Sequence, residues 1–244
     1  MWAVDEIRRP AAIEDHGMKS VTSIAAAGLC AFTIAVAPPA AADWPGILGA
    51  DRSGRTAEPL PETLAASGPQ VLWRVSLGEG MAGVAVSGDR VLVHHRPGDV
   101  ERLEAFSTKD GASLWRRDAP ATYRGGILPD SGPRAVPTVA GDAVVTFGAG
   151  GRLAVTALKD GAARWAVETA RVYAAPEGYF GFGSSPLVVD VKGRRLVVAV
   201  VGGEAEGSGA GVVAFDLQSG EEAWRSVDDR ASYSSPVIAT LGGE

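Results

Sequence analysis

A chain of 244 residues that is 46% hydrophobic, holds 32 glycines and is only 7% aromatic is long enough for one large domain and suits many short strands joined by turns. Its formal charge of −6 offers no basic footprint for nucleic acid or for an anionic membrane surface. The first 42 residues carry Arg8, Arg9 and Lys19 against Asp5, Glu6, Glu14 and Asp15, so the remainder stays acidic without them.

Those 42 residues read as an address. Met18-Lys19 opens a basic region, residues 20–37 are apolar and small, and Ala40-Ala41-Ala42 precedes Asp43 as an A-x-A cleavage site, the pattern of a secretory signal peptide. Met18 is the expected start, and the expected destination is the periplasm or the exterior. Pro38-Pro39 breaks the apolar run, so no membrane span is expected after cleavage. Cys30 is the single cysteine and follows Leu29 rather than a small residue, unlike a lipoprotein signal; the exported chain is expected to lack thiol chemistry.

Residues 43–70 contain Pro45, Pro59, Pro61 and Pro69 with no sustained alternation, which predicts an extended strap anchored by Trp44 rather than a ladder strand. In residues 71–77, Val71, Trp73, Val75 and Leu77 share one strand face, as the last strand of a unit whose other strands do not precede it. Three antiparallel four-stranded units follow. The first is predicted at 83–87, 90–95, 102–107 and 112–117; the second at 135–140, 143–147, 152–158 and 162–168; the third at 185–191, 194–201, 211–217 and 221–226. Gly88, Gly141 and Gly193 turn the first hairpins, and Ser234-Ser235-Pro236 echoes Ser184-Ser185-Pro186 as a fourth unit opens.

Each unit ends on the same phrase. Gly111, Gly161 and Gly220 stand four residues before Trp115, Trp165 and Trp224, and Ala105, Val155 and Ala214 stand ten before them. Four strands about every 50 residues, with no helical periodicity between them, is the pattern of β-propeller blades. An indole buries a large area over small residues only, so these tryptophans, with Trp73, are expected to be structural.

The units, with Ser-Ser-Pro, a Gly turn and Ala214-Phe215-Asp216-Leu217-Gln218-Ser219-Gly220-Glu221 running on to Trp224, resemble the quinoprotein-type propeller repeat. That repeat is shared by pyrroloquinoline-quinone (PQQ) dehydrogenases and the outer-membrane assembly lipoprotein of Gram-negative bacteria. The resemblance implies an all-β, eight-bladed wheel, of which residues 71–244 supply about half: three blades and an orphan strand at each end. It also implies that Trp115, Trp165 and Trp224 dock on the small residues of neighbouring units, with Gly111, Gly161, Gly220, Ala105 and Ala214 forming slots.

In the enzymes resembled, a quinone lies between a Trp and a vicinal Cys pair, beside calcium. This sequence has no Asn, and no Cys after residue 42. Glu204 and Glu206, placed in a glycine-rich loop at 202–211, read as a solvated turn rather than a calcium site. His94 and His95 are strand neighbours that point to opposite faces, one expected exposed and one buried, so they share no metal. No catalytic residue, metal or cofactor is therefore expected, with PQQ and calcium relevant only if the chain is the N-terminal half of a dehydrogenase. A carbohydrate-active propeller would need paired carboxylates, for which Glu204 and Glu206 alone do not suffice.

Strand direction puts the loops at 96–101, 119–134, 171–184 and 202–210 on one face, carrying Tyr123, Arg124, Tyr173, Tyr179, Phe180 and Phe182. These residue types favour interfaces. The sequence thus predicts a non-catalytic binding or scaffolding module, monomeric at full length, that meets protein partners there.

Overall fold

A computed structural model describes residues 43–242 apart from 60, 61 and 64; the expected signal peptide, with Met18 and Cys30, lies outside the described residues. Three four-stranded antiparallel sheets make up the fold. The first holds β1 (Ala85–Ser87), β2 (Arg90–His95), β3 (Val100–Ser107) and β4 (Ser113–Pro120). The second holds β5 (Thr138–Ala140), β6 (Ala143–Phe147), β7 (Arg152–Ala157) and β8 (Ala163–Glu168), followed by the single turn of α1 (Thr169–Val172). The third holds β9 (Leu187–Val191), β10 (Arg194–Ala205), β11 (Ser208–Asp216) and β12 (Glu222–Ser226). Within each sheet the strands lie in chain order, and β1 neighbours β5 as β5 neighbours β9, so the innermost strands line up as in propeller blades.

Period-two alternation explains the stacking of these sheets. On the second blade, Val145, Phe147, Leu153 and Val155 face the third, where Val197, Val201, Val213 and Phe215 complete one core. Leu92, Leu103 and Ala105 of the first blade meet Val144 of the second. Each such side chain, fully buried, stabilises the fold by about 1.5–3 kcal/mol.

The tryptophans lock neighbouring blades together. A Cβ added at Gly111 would come within 2.7 Å of the Trp73 ring, one at Gly161 within 2.5 Å of Trp115, and one at Gly220 within 2.6 Å of Trp165. Each indole N–H also donates to a backbone carbonyl of the next unit: Trp73 to Thr108 at 2.9 Å, Trp115 to Leu158 at 3.0 Å and Trp165 to Leu217 at 2.9 Å. All three glycines hold φ near +70°, where a side chain is strained even without the ring. The residue ten before each Trp serves a different purpose from the one the resemblance implies. Ala105, Val155 and Ala214 pair across the ladder with the Trp of their own unit, so a valine there leaves the Trp165 slot intact. The register shifts beside each of these pairs, leaving Leu114, Arg164 and Ala223 as the extra residues, and such a bulge re-aims the next side chain. Trp224 has no such glycine beneath it among the described residues and is 42% exposed.

Two further sets of contacts join the blades near the inner strands. Ser185 Oγ accepts from Val136 N–H and Ser235 Oγ from Ser185 N–H, both at 2.9 Å, so the Ser-Ser-Pro openings staple one unit to the next. The strap runs along the same inner edge. Trp44 and Val86 exchange backbone bonds at 2.9 and 2.8 Å, and Pro45 O accepts from Val139 N–H. The Arg52 guanidinium donates to the carbonyls of Ser185, Pro186 and Pro236.

The chain path also departs from expectation in two stretches. Residues 202–210 are not a long loop: β10 and β11 extend to a two-residue turn at Glu206-Gly207, both with positive φ, the geometry of a type I′ hairpin. Residues 71–77, though extended and carrying the docked Trp73, join no sheet.

Candidate functional site

The loops following β4 and α1 meet where Tyr123 reaches Tyr179, and two arginines, Arg96 buried and Arg134 partly buried, hold them. Arg96, at the end of β2, donates to the carbonyls of Gly98 (2.9 Å), Tyr123 (2.6 Å) and Ser131 (3.2 Å). Arg134 donates to the carbonyls of Asp130 (2.6 Å) and Gly132, with its guanidinium 5.4 Å from the Tyr123 ring centre, a cation–π distance. Tyr123 in turn donates its hydroxyl to Tyr179 O at 2.8 Å. Glu79 Oε2 accepts from both the N–H and the hydroxyl of Ser131, which holds the carboxyl below its ordinary range.

This framework carries an apolar hollow of about 260 Å3 lined by Met81, Leu128, Arg134, Phe180, Gly183 and Tyr233. Phe180 and Tyr233 have ring centres 5.4 Å apart, and Phe180 N–H donates to the Tyr233 hydroxyl at 3.0 Å. Met81, Ile127, Tyr179 and Tyr233 stand exposed around it. A rigid hollow with an aromatic rim suits an apolar side chain of another polypeptide.

Of the six residues predicted for this face, Arg124 and Tyr179 are exposed and Phe180 is half-buried. Tyr123, Tyr173 and Phe182 are only 2% exposed, so they support the face from below. Tyr173 donates to Glu222 Oε2 at 2.8 Å, and Phe182 packs at a tilt against Phe147 with ring centres 5.2 Å apart. Met81, Leu128 and Tyr233 are additions that sequence reasoning missed. Only Gly183 hinted at Tyr233, since a Cβ there would lie 3.1 Å from the Tyr233 ring; Met81 left no periodic or motif signal.

The histidines are both buried, contrary to the exposed-and-buried expectation. They do point to opposite faces: His94 Nε2 lies 3.9 Å from Glu101 Oε2, and His95 Nε2 lies 3.3 Å from Glu104 Oε2. Burial, then the neighbouring His95, holds the His94 pKa down to about 3, while burial raises that of Glu101. Because the unfolded imidazole titrates near 6.5, the unfolded chain takes up the His94 proton first, so this contribution is whole above about pH 6.5 and is lost as pH falls toward 3. Glu101 has the opposite sign: its contribution is present below about pH 4.5 and lost as pH rises through its raised folded pKa. Urea unfolding at pH 7 and pH 4.5 should therefore show the wild type losing more stability on acidification than His94→Phe; equal losses would contradict a neutral buried His94.

The family model described as "Outer membrane protein assembly factor BamB" matches residues 62–241. The chain belongs to that family. Among solved structures, a quinohemoprotein alcohol dehydrogenase from Comamonas testosteroni aligns at 23% identity over 75% of this chain and 27% of its own, with a TM-score of 0.53. BamB from Moraxella catarrhalis aligns at 20% identity over 68% of this chain and 58% of its own, with a TM-score of 0.41. A europium-containing methanol dehydrogenase aligns at 19% identity over 61% of this chain and 25% of its own, with a TM-score of 0.42. This PQQ-like chain thus spans about a quarter of each dehydrogenase and over half of that BamB, and the likeness is one of fold. No curated protein matches.

The described residues offer no cluster of acidic or histidine side chains for the calcium of the dehydrogenase propellers. No group of three His, Cys, Asp or Glu converges among them, and the hollow over the inner strands is lined by apolar and aromatic side chains with Arg134. Calcium needs several converging oxygens. Among the described residues, no helix is long and apolar enough to cross a membrane.

Proposed function

We propose that this BamB-family propeller is a non-catalytic binding module of the exported, periplasmic space, which receives an apolar segment of an unfolded polypeptide at the Met81, Leu128, Phe180 and Tyr233 hollow. The family's description concerns the assembly of outer-membrane proteins, so the proposed clients are unfolded outer-membrane β-barrel chains, whose strands alternate apolar and polar residues. The observation that carries this reading is the exposed apolar rim on a framework clamped by Arg96 and Arg134; a pre-organised site loses little entropy on binding.

The test is fluorescence titration of an unfolded outer-membrane barrel polypeptide with the purified chain. Met81→Glu puts a charge into the hollow and should weaken binding about tenfold, or roughly 1.4 kcal/mol. Met81 is 56% exposed, so the melting temperature should not change. Saturable binding that the substitution leaves unaltered would remove the hollow from the proposal.

A further inference from the structure

We propose that the cleft between the first two blades binds a small neutral polyol, with Glu101, His94 and Thr156 as its hydrogen-bonding partners. The two inter-blade contacts are built differently at matching positions. Six residues after the first hairpin glycine, the second blade carries Phe147 and the first carries His94; fourteen before the Trp, the second carries Gly151 and the first carries Glu101. Between the second and third blades Phe147 and Phe182 fill the space, and a Cβ at Gly151 would come within 2.8 Å of Phe182. Between the first and second blades the same region is a cavity of about 240 Å3, lined by His94, Glu101, Leu103, Thr146, Thr156 and Ala154 among others.

Its interior holds hydrogen-bonding capacity that the protein leaves unused. His94 Nδ1 and Thr156 Oγ1 are buried with no partner, on side chains of residues 6% and 5% exposed. Nine-tenths or more of buried polar groups in folded proteins are paired, so two together in one cavity point to an occupant. Glu101 spends Oε1 on Ala149 N–H at 2.9 Å, and Oε2 is 3.9 Å from His94 Nε2, beyond hydrogen-bond reach. A Cβ at Gly148 would fall on that oxygen, so glycine there makes room for the carboxyl.

The lining also selects charge. Of the charged residues at the mouth, Asp118 is held by Arg102 through bonds of 2.7 and 2.8 Å, Arg152 pairs with Glu168, and Arg117 is exposed to solvent. Inside, a carboxyl, a neutral imidazole and threonine hydroxyls can all accept, and the hydroxyls also donate. Hydroxyl groups, which do both, complement that set. The cavity is several times the ~30 Å3 that a liquid water occupies, and a single water does not fill it.

The probes are glycerol, glucose and myo-inositol, read by saturation-transfer NMR on the purified full chain. At least one should receive saturation from the wild type. His94→Phe, which installs the second blade's residue, should abolish the transfer, and Thr156→Val, which removes one hydroxyl at constant shape, should weaken binding about fivefold. Loss in either variant whose circular dichroism is native supports the site, and Thr156→Val decides the matter if His94→Phe does not fold. Absence of transfer to all three probes would mean that the cavity holds water only, and transfer unchanged in the folded variants would put the binding elsewhere; either result overturns the proposal.

Discussion

Replacing Trp115 by Ala is expected to cost about 3 kcal/mol of unfolding free energy, the low end for removing a large aromatic side chain because the ring is only partly buried. The loss has two physical parts: the apolar contact with Gly161 and the indole bond to Leu158 O. Trp224→Ala supplies the comparison. That ring is 42% exposed and lies over no glycine among the described residues, so its loss should cost under about 1 kcal/mol. The slot can be tested from the other side with two glycines of similar backbone. Gly161 has φ of 71° and Gly193 has φ of 79°, but a Cβ meets the Trp115 ring at the first and nothing within 4 Å at the second. Gly193→Ala should cost about 1 kcal/mol for backbone strain alone, and Gly161→Ala clearly more. Equal costs in urea unfolding would mean that the indole does not depend on that slot.

The second large effect is expected at Arg52. Its charge is partly buried, which lowers its pKa, and its guanidinium is bound by three backbone carbonyls from the openings of the third and fourth units. Hydrogen bonds from a charged donor contribute about 1.5–3 kcal/mol each in favourable cases. Arg52→Ala should therefore destabilise by about 2–4 kcal/mol, since the carbonyls also lose their donor. Arg52→Lys keeps the charge but not the planar fork that spans separate acceptors, so it should recover less than half of the loss. Limited proteolysis gives a second readout: cleavage within residues 43–58 should accelerate in Arg52→Ala before the blades are attacked. A strap that stays protected in that variant would show that Trp44 and its bonds to Val86 hold it unaided.

The fold was legible because its repeat uses short-range chemistry. A glycine four residues before a tryptophan marks a tight turn and a docking slot at once, and the recurrence of that phrase about every 50 residues marks the blades. The hairpin at Glu206-Gly207 was misread because its flanking glycines, Gly202, Gly203 and Gly209, look like loop composition. In the structure Gly203 lies against Tyr173 O and Gly209 against Val227 O, so glycine there admits neighbouring backbone to a strand pair whose register shifts between Val200 and Gly203. The candidate face was only partly legible. Aromatic residues in long loops are visible, but that the Tyr123 ring points inward depends on the Arg134 guanidinium at the far end of its own loop and on the Tyr179 carbonyl of the next. His94 and His95 were separable by strand alternation, yet their shared burial depends on the second blade and on Gly78, whose N–H donates to His95 Nδ1 at 3.0 Å.

A polypeptide segment docked on the loop face, as proposed, should be visible in hydrogen–deuterium exchange with and without an unfolded outer-membrane barrel polypeptide. Residues 121–134 and 173–184 should gain protection on binding while β4, β8 and β12 stay unchanged. Protection confined to those outer strands, or none at saturating polypeptide, would contradict it.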